Sequence, residues 1–163
     1  MAFWSIWKLL SPDLLPRSGS AGRKPAPVPA PFANETVAEL AAHRAVIETS
    51  MGNMMVELFP DRAPNHVRNF LRLTQTGWYN GTSFHRVVKG FVAQGGMGYY
   101  RASGPIHPAD RWVKPLKAEF RDDAKHVRGI VSMARGENPD SAQTSFFLML
   151  GTATNLDNQY SAF

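Results

Sequence analysis

The 163-residue sequence predicts a mostly β protein, built on an antiparallel sheet or barrel with one helix. Three observations favour this class. Short runs rich in β-branched and aromatic residues recur along the chain, separated by glycine-rich or polar loops. Only one segment after residue 43 shows a helical stripe rather than alternation. The hydrophobic content of 44% is that of an ordinary globular chain able to bury a core.

Residues 1–43 are predicted to be an extension outside the main domain. Residues 11–31 hold most of a linker, and its proline-rich part at 25–31 is expected to be extended and semi-rigid. Asn34 is expected to cap a short helix that runs to about His43. The apolar start, residues 1–10, is interrupted by Lys8, which favours an uncleaved segment over a signal peptide. Two interpretations of these residues are possible: a membrane-surface contact or a poorly ordered start.

The main domain is expected to open with a β-hairpin. Two apolar-rich runs, 45–49 and 53–59, flank a short connection in which Gly52 supplies the turn. Alternation predicts one shared face for Met54, Val56 and Leu58.

A helix is predicted next. Pro64 suits its first position and Gly77 the position just past its end. The residues at i, i+3, i+4 and i+7 form one buried stripe: Val67, Phe70, Leu71 and Thr74.

Four further strands are expected at 83–88, 91–94, 129–134 and 146–150. The long connection from Gly95 to about Lys117 is rich in glycine. Such a loop inside a compact domain is typically functional or well packed.

Composition excludes several function classes. The net charge of +5 is scattered among acidic residues, so no nucleic-acid partner is expected. The absence of cysteine excludes disulfide and thiolate chemistry. The five histidines show no ligand spacing, so no metal site is predicted, and no Gly-x-Ser-x-Gly motif occurs. No apolar run is long enough for a membrane-spanning helix.

Three sequence blocks occur in a fixed order: FHRVVKGFVAQGG at 84–96, GIVSMAR at 129–135 and DSAQTSFF at 140–147. Together they resemble the cyclophilins, and the resemblance covers a domain of residues 44–163. It implies an antiparallel eight-stranded barrel capped by two helices. One of those helices and the closing strand would follow residue 163 in the family pattern, so the domain is expected to be C-terminally incomplete.

The resemblance also implies a peptidyl-prolyl cis-trans isomerase that uses no cofactor, with Arg86 as its catalytic residue. Residues Phe91, Val92, Gln94, Ala134, Phe147, Leu156 and Tyr160 would bind the substrate. Residues His85, Gln143 and Ser145 would support them. Neighbours in a strand face opposite sides, so only one of Phe146 and Phe147 can line a pocket, and the resemblance selects Phe147.

Structural explanations remain open for several of these side chains. Arg86 on a strand could form a salt bridge, and Phe91 or Leu156 could be plain core. Two departures from the family pattern bear on affinity: Ser145 stands where a glutamine is usual, and Val92 where a methionine is usual. A cyclosporin-type ligand would therefore bind more weakly.

The expected partners are proline-containing peptides and unfolded protein clients, bound by a monomer. The alternative function is a binding module or holdase chaperone that holds X–Pro segments without turnover. A cytoplasmic location is favoured, with a periplasmic or exported location as the alternative.

Overall fold

The computed structural model describes the backbone of residues 5–9 and the whole of residues 29–163. Most of the predicted proline-rich linker lies outside the described residues. The described part of the chain contains two antiparallel sheets, one of three strands and one of four.

The first sheet comprises β1 (Ser5–Leu9), β2 (Arg44–Thr49) and β3 (Gly52–Glu57). The predicted hairpin is confirmed: β2 and β3 pair antiparallel, and Gly52 has a φ of 121° that favours glycine. Val56 and Leu58 are buried as the alternation predicts, but Met54 is 36% exposed. Burial on that face therefore stops before the turn.

Helix α2 (Pro64–Gln75) confirms the predicted helix and its ends, with Pro64 in the first turn and Gly77 at a φ of 70°. All four residues of the predicted stripe are buried. A distant side chain caps the helix, since the Glu119 carboxylate accepts hydrogen bonds from the backbone N–H groups of Asn65 and His66. This carboxylate ties the start of α2 to a segment more than fifty residues further along the chain.

The second sheet comprises β4 (Arg86–Val88), β5 (Val92–Gly95), β6 (Val131–Met133) and β7 (Phe146–Met149). All four predicted strands occur. β5 has the predicted four residues, shifted by one position, and β4, β6 and β7 are shorter than predicted. Residues 161–163 run beside β6, where Ser132 and Ala162 form an isolated bridge. This sheet carries four of the side chains for which the sequence predicts a role: Arg86, Val92, Gln94 and Phe147.

The predicted cap of the first helix is wrong. Helix α1 (Val37–Ala41) is capped by Thr36 instead of Asn34. Thr36 and Glu39 form a reciprocal capping box, in which the Thr36 N–H donates to the Glu39 carboxylate at 2.7 Å. The two side chains satisfy backbone donors at both ends of one turn, which the Asn34 side chain does not do.

The segment from Pro31 to α1 packs on the main domain. Phe32 and Leu40 are buried in the same core cluster as α2. Arg72 donates to the Pro31 carbonyl at 2.9 Å, and Arg68 donates to the Glu35 carbonyl at 2.7 Å. The division at residue 43 stays a prediction, but part of the extension contributes to the domain core.

The main core lies between α2, the hairpin β2–β3 and one face of the second sheet. Its fully buried aromatic members include Phe70, Tyr79, Phe146 and Phe163. The seven strands of the described residues form two sheets, so the closed eight-stranded barrel is not confirmed. Among the described helices, none has the length and apolarity needed to cross a membrane.

The long loop after β5, predicted to be functional or well packed, is mostly exposed and is anchored by the buried residues Arg101 and Ala109. It contains two short 3-10 helices, Gly98–Tyr100 and Pro108–Trp112. The buried Arg101 guanidinium donates twice to the Trp78 carbonyl, and the Trp78 indole donates to Asp110 at 2.7 Å. These bonds fix the loop on the connection that follows α2.

Candidate active site

A cavity of about 210 Å³ lies on the outer face of the second sheet. The register of the sheet aligns Arg86 opposite Gln94, and Gln94 opposite Phe147. Residues directly opposite each other on paired strands project to the same face. The cavity lining is Arg86, Phe91, Val92, Gln94, Ala134, Arg135, Phe147, Leu156 and Tyr160. The structure thus brings together the predicted catalytic residue and all seven predicted substrate-binding residues, while their roles stay predictions.

Arg86 is an exposed cation at the start of β4. Its guanidinium carbon lies 5.8 Å from the centre of the Phe91 ring. Within residues 29–163, no hydrogen bond or ion pair joins the guanidinium to another side chain. The structural alternative of a salt bridge therefore has no support among the described residues. The N–H groups of Arg86 are available to a bound molecule.

The apolar wall of the cavity is formed by a second, smaller hydrophobic cluster. Its buried members are Val92, Phe147, Met149, Ala153 and Leu156. Phe146 belongs to the main core instead and is fully buried there. The two neighbouring phenylalanines face opposite sides, as expected from strand geometry, and Phe147 is the one on the cavity side.

Tyr160 closes the rim of the cavity. Its ring meets the Phe147 ring edge-on, with centroids 5.4 Å apart and an interplanar angle of 86°. Arg135, which the sequence analysis did not select, lies over the other side of this ring at 4.9 Å. Arg135 occurs in one of the quoted sequence blocks, but only the fold reveals that it lines the cavity.

Three main-chain carbonyls hold the Arg135 guanidinium in place. Nε donates to Gln159 at 2.9 Å, and Nη1 donates to Gly136 at 2.8 Å and to Glu137 at 3.0 Å. The phenyl ring of Phe120 lies 5.8 Å from the guanidinium carbon. The cation is therefore fixed in position before any ligand arrives.

Gln94 is held by Ser145, one of the predicted supporting residues. The Gln94 amide donates to Ser145 Oγ at 3.2 Å, and the hydroxyl donates onward to the Gly95 carbonyl at 3.0 Å. Ser145 also lines a second cavity of about 290 Å³, which Gln143 and Met97 help to form. The two cavities share Gln94, Ala134 and Arg135, so they adjoin.

A buried hydrogen-bonded histidine supports the apolar wall from behind. The His126 ring lies 6.1 Å from the Phe147 ring at 26°. Its Nδ1 lies 3.2 Å from Asp157 Oδ1, and its Nε2 lies 3.1 Å from Ser132 Oγ. Burial lowers the pKa of His126 below 6.5, although Asp157 acts in the opposite direction. Ser132 is fully buried, so this serine, histidine and aspartate cannot act on a bound substrate as a nucleophilic triad.

Local sequence patterns do not reveal this support, because the side chains that His126 contacts lie 6 and 31 residues away in the chain. His85, in contrast, was predicted to be supporting and lies outside both cavities. Its ring stacks on Tyr100, with centroids 4.8 Å apart. Burial lowers the pKa of His85, which favours the neutral ring beside Arg86.

A larger cavity lies elsewhere, between β3 and the strands β6 and β7. Its volume is about 430 Å³, and its lining includes Met54, Met55, Ile130 and Phe163. None of the predicted site residues contributes to it. The smaller cavity is the stronger candidate because it combines an unpaired cation with an apolar wall.

The candidate site combines an apolar wall with cationic and amide donors, so it can hold an apolar group beside a polar one. Across the described residues, no cluster of histidine and acidic side chains could hold a metal ion.

Comparison with known proteins identifies the family. The family "Cyclophilin type peptidyl-prolyl cis-trans isomerase/CLD" matches residues 44–163. A peptidyl-prolyl cis-trans isomerase of Arabidopsis thaliana, CYP23, is 42% identical over 127 residues, covering 77% of this chain and 56% of the relative. The chain thus spans little more than half the length of that relative. A Helicobacter pylori peptidyl-prolyl cis-trans isomerase is 41% identical over 121 residues, covering 73% of this chain and 70% of the relative.

Solved structures agree with the sequence relatives. A cyclophilin-type isomerase of Cryptosporidium parvum, crystallised in the presence of the dipeptide Ala-Pro, has a TM-score of 0.64 at 29% identity. The likeness covers 74% of this chain and 75% of that one. Cyclophilin AquaCyp293 from Hirschia baltica also has a TM-score of 0.64, at 28% identity, covering 73% of this chain and 61% of that one. This chain belongs to the cyclophilin-type peptidyl-prolyl cis-trans isomerase family.

Proposed function

We propose that this protein accelerates cis-trans rotation of X–Pro peptide bonds at the cavity beside Arg86. The observation that carries the proposal is the Arg86 guanidinium, which lacks a described partner and stands in one row with Gln94 and Phe147. Proline-containing peptides and unfolded chains are the proposed substrates. The Cryptosporidium relative, crystallised in the presence of Ala-Pro, supports this substrate class.

The reaction needs differential binding and no covalent step. Amide resonance sets a barrier of about 18–20 kcal/mol to rotation. In the twisted state the prolyl nitrogen becomes pyramidal and its lone pair localises. A fixed donor directed at that nitrogen or the neighbouring carbonyl oxygen stabilises the twisted state more than the planar one. Arg86 would supply that donor, and its place in the lining of the cavity supports this role.

The apolar wall would hold the proline ring while the amide rotates. Phe147 and Leu156 are nearly buried, and their neighbours keep them in position before binding. A rigid wall reduces the entropy that the complex loses on binding. Gln94, held by Ser145, would bind the peptide backbone next to the ring.

We propose that the two sheets are parts of the eight-stranded cyclophilin barrel. Support comes from the similarity to solved cyclophilins and from the described antiparallel strand pairs.

A second candidate is a binding module that holds X–Pro segments without turnover. One observation favours it. Ser145 is engaged by Gln94 and the Gly95 carbonyl, so its hydroxyl is less available to a peptide than a longer amide side chain would be. Both candidates predict peptide binding, and only the rate separates them.

A comparison of the unaltered protein with two variants tests the proposal. The isomerisation rate of a short Ala-Pro peptide is measured with the unaltered protein, Arg86→Ala and the control Arg121→Ala. Arg121 is an exposed arginine whose ion pair with Asp123 lies outside the candidate site. Loss of one preorganised donor typically lowers kcat by about 10²- to 10³-fold.

The expected result is a drop of that size for Arg86→Ala and none for Arg121→Ala. Equal rates for all three proteins would sink the assigned mechanism. Tight peptide binding with no acceleration by the unaltered protein would favour the binding module.

A further inference from the structure

The two adjoining cavities carry positive charge that no described carboxylate offsets. Arg86 and Arg135 are the only charged residues in their combined lining, and neither cavity contains Asp or Glu. Among the described residues, neither guanidinium lies within ion-pair distance of a carboxylate. Other arginines are paired, as Arg44 is with Glu57 at 3.4 Å.

Arg135 stands where the two cavities meet and is the better placed of the two to act on a peptide side chain. Its Nε and Nη1 are used by main-chain carbonyls, whereas Nη2 has no described hydrogen-bond partner. The rings of Tyr160 and Phe120 flank it. Because these contacts already fix the cation, an incoming carboxylate would not need to order it.

The second cavity has the polarity to accept a charged side chain. Its lining includes the polar side chains of Gln94, Ser141, Gln143, Thr144 and Ser145. Acidic residues occur nearby in the loop after β6, but Glu137 is exposed and Asp140 accepts from the Ala118 N–H at 2.8 Å. Neither carboxylate enters the lining of either cavity.

We propose that the site selects X–Pro segments that carry a carboxylate side chain close to the proline, and that Arg135 determines this selectivity. This inference rests on the proposed function. With the proline ring in the first cavity, a residue one or two positions away lies beside the second cavity and Arg135. Asp or Glu there gains a charge-assisted hydrogen bond, and Lys or Arg meets two cations.

The test uses peptides that differ only in charge. Blocked peptides carry Glu, Gln or Lys one or two residues before the proline, or one residue after it. Glu and Gln have nearly the same shape, so their ratio isolates the charge. Peptide Kd and the exchange rate are measured by NMR at about 20 mM and about 0.5 M salt, since salt screens exposed charges.

The expected result is about a fivefold preference for Glu over Gln in at least one position, with Lys weaker than Gln. The preference should fall at high salt. Arg135→Gln should abolish it, and Arg135→Lys should retain most of it. Loss of the hydrogen bonds that Arg135 donates at the rim would weaken the binding of all peptides equally. The ratio of the Kd values of the Glu and Gln peptides is therefore the readout.

Equal binding of Glu and Gln peptides at low salt would overturn the inference, and so would a preference that survives in Arg135→Gln. Failure of the proposed function looks different. In that case the Gln peptides bind but their exchange is not accelerated, and the Kd ratio still decides the charge selectivity. If no peptide binds at all, both proposals are wrong.

Discussion

Phe146 and Phe147 are neighbours in β7 that face different environments, and exchanging each for leucine separates stability from activity. Phe146 is fully buried in the main core. Its ring meets Phe70 at 5.8 Å, Tyr79 at 5.7 Å and Phe84 at 6.2 Å, all three near right angles. Phe147 contacts two rings and lines the candidate cavity.

The aromatic contacts give the magnitudes. Each favourable aromatic pair contributes about 0.5–1.5 kcal/mol beyond burial, so Phe146→Leu should lower the free energy of unfolding by about 2–3 kcal/mol. Phe147→Leu loses one aromatic pair and a histidine contact, and should cost about 1 kcal/mol. It also removes the flat wall of the proposed proline site, for which we expect about a tenfold lower kcat/KM, or about 1.4 kcal/mol.

Two assays read the separate effects. Urea unfolding followed by tryptophan fluorescence gives the free energy of unfolding. The peptide isomerisation assay, run well below the unfolding transition, gives kcat/KM per folded molecule. The account predicts that Phe146→Leu mainly affects the first and Phe147→Leu mainly the second. If folded Phe146→Leu lost as much kcat/KM as Phe147→Leu, the division of the two faces would be refuted.

Two further predictions concern stability. Gly96 has a φ of 74°, and a Cβ there would lie 2.7 Å from both a core aromatic ring and a main-chain carbonyl oxygen. Gly96→Ala should therefore cost about 3 kcal/mol in urea unfolding, against about 1 kcal/mol for Gly90→Ala, where φ is 73° and nothing lies within 4 Å. Equal costs would contradict the clash. Burial also lowers the pKa values of three histidines. At a pH just below 6.5 the unfolded chain therefore binds more protons than the folded one, so the free energy of unfolding should rise with pH in that range. The urea midpoint at about pH 5.5 should be lower than at about pH 7.5, and an unchanged midpoint would be evidence against neutral buried histidines. The residues concerned are His85, His107 and His126.

Local signals predicted the elements whose ends are set by backbone chemistry. Pro64 and Gly77 marked the two ends of α2, since one lacks an N–H and the other tolerates positive φ. The first helix shows the limit of this reasoning. Asn34 and Thr36 are both acceptable caps, and only the spacing from Thr36 to Glu39 makes the reciprocal pair.

The site was predicted where family resemblance marked residues, and missed where residues act through contacts. Arg86 and Phe147 lie in sequence blocks that the resemblance covers. Arg135 gains its place from carbonyls of two separate segments, and His126 from partners 6 and 31 residues away. Such contacts depend on strand register, which local periodicity does not determine.

The most direct test of the account is the exchange NMR spectrum of an Ala-Pro peptide with and without this 163-residue chain. The account predicts that cis and trans resonances exchange faster in the presence of the folded protein, and that Arg86→Ala removes most of the acceleration. Peptide binding by the folded protein without faster exchange would contradict the isomerase and leave a binding module.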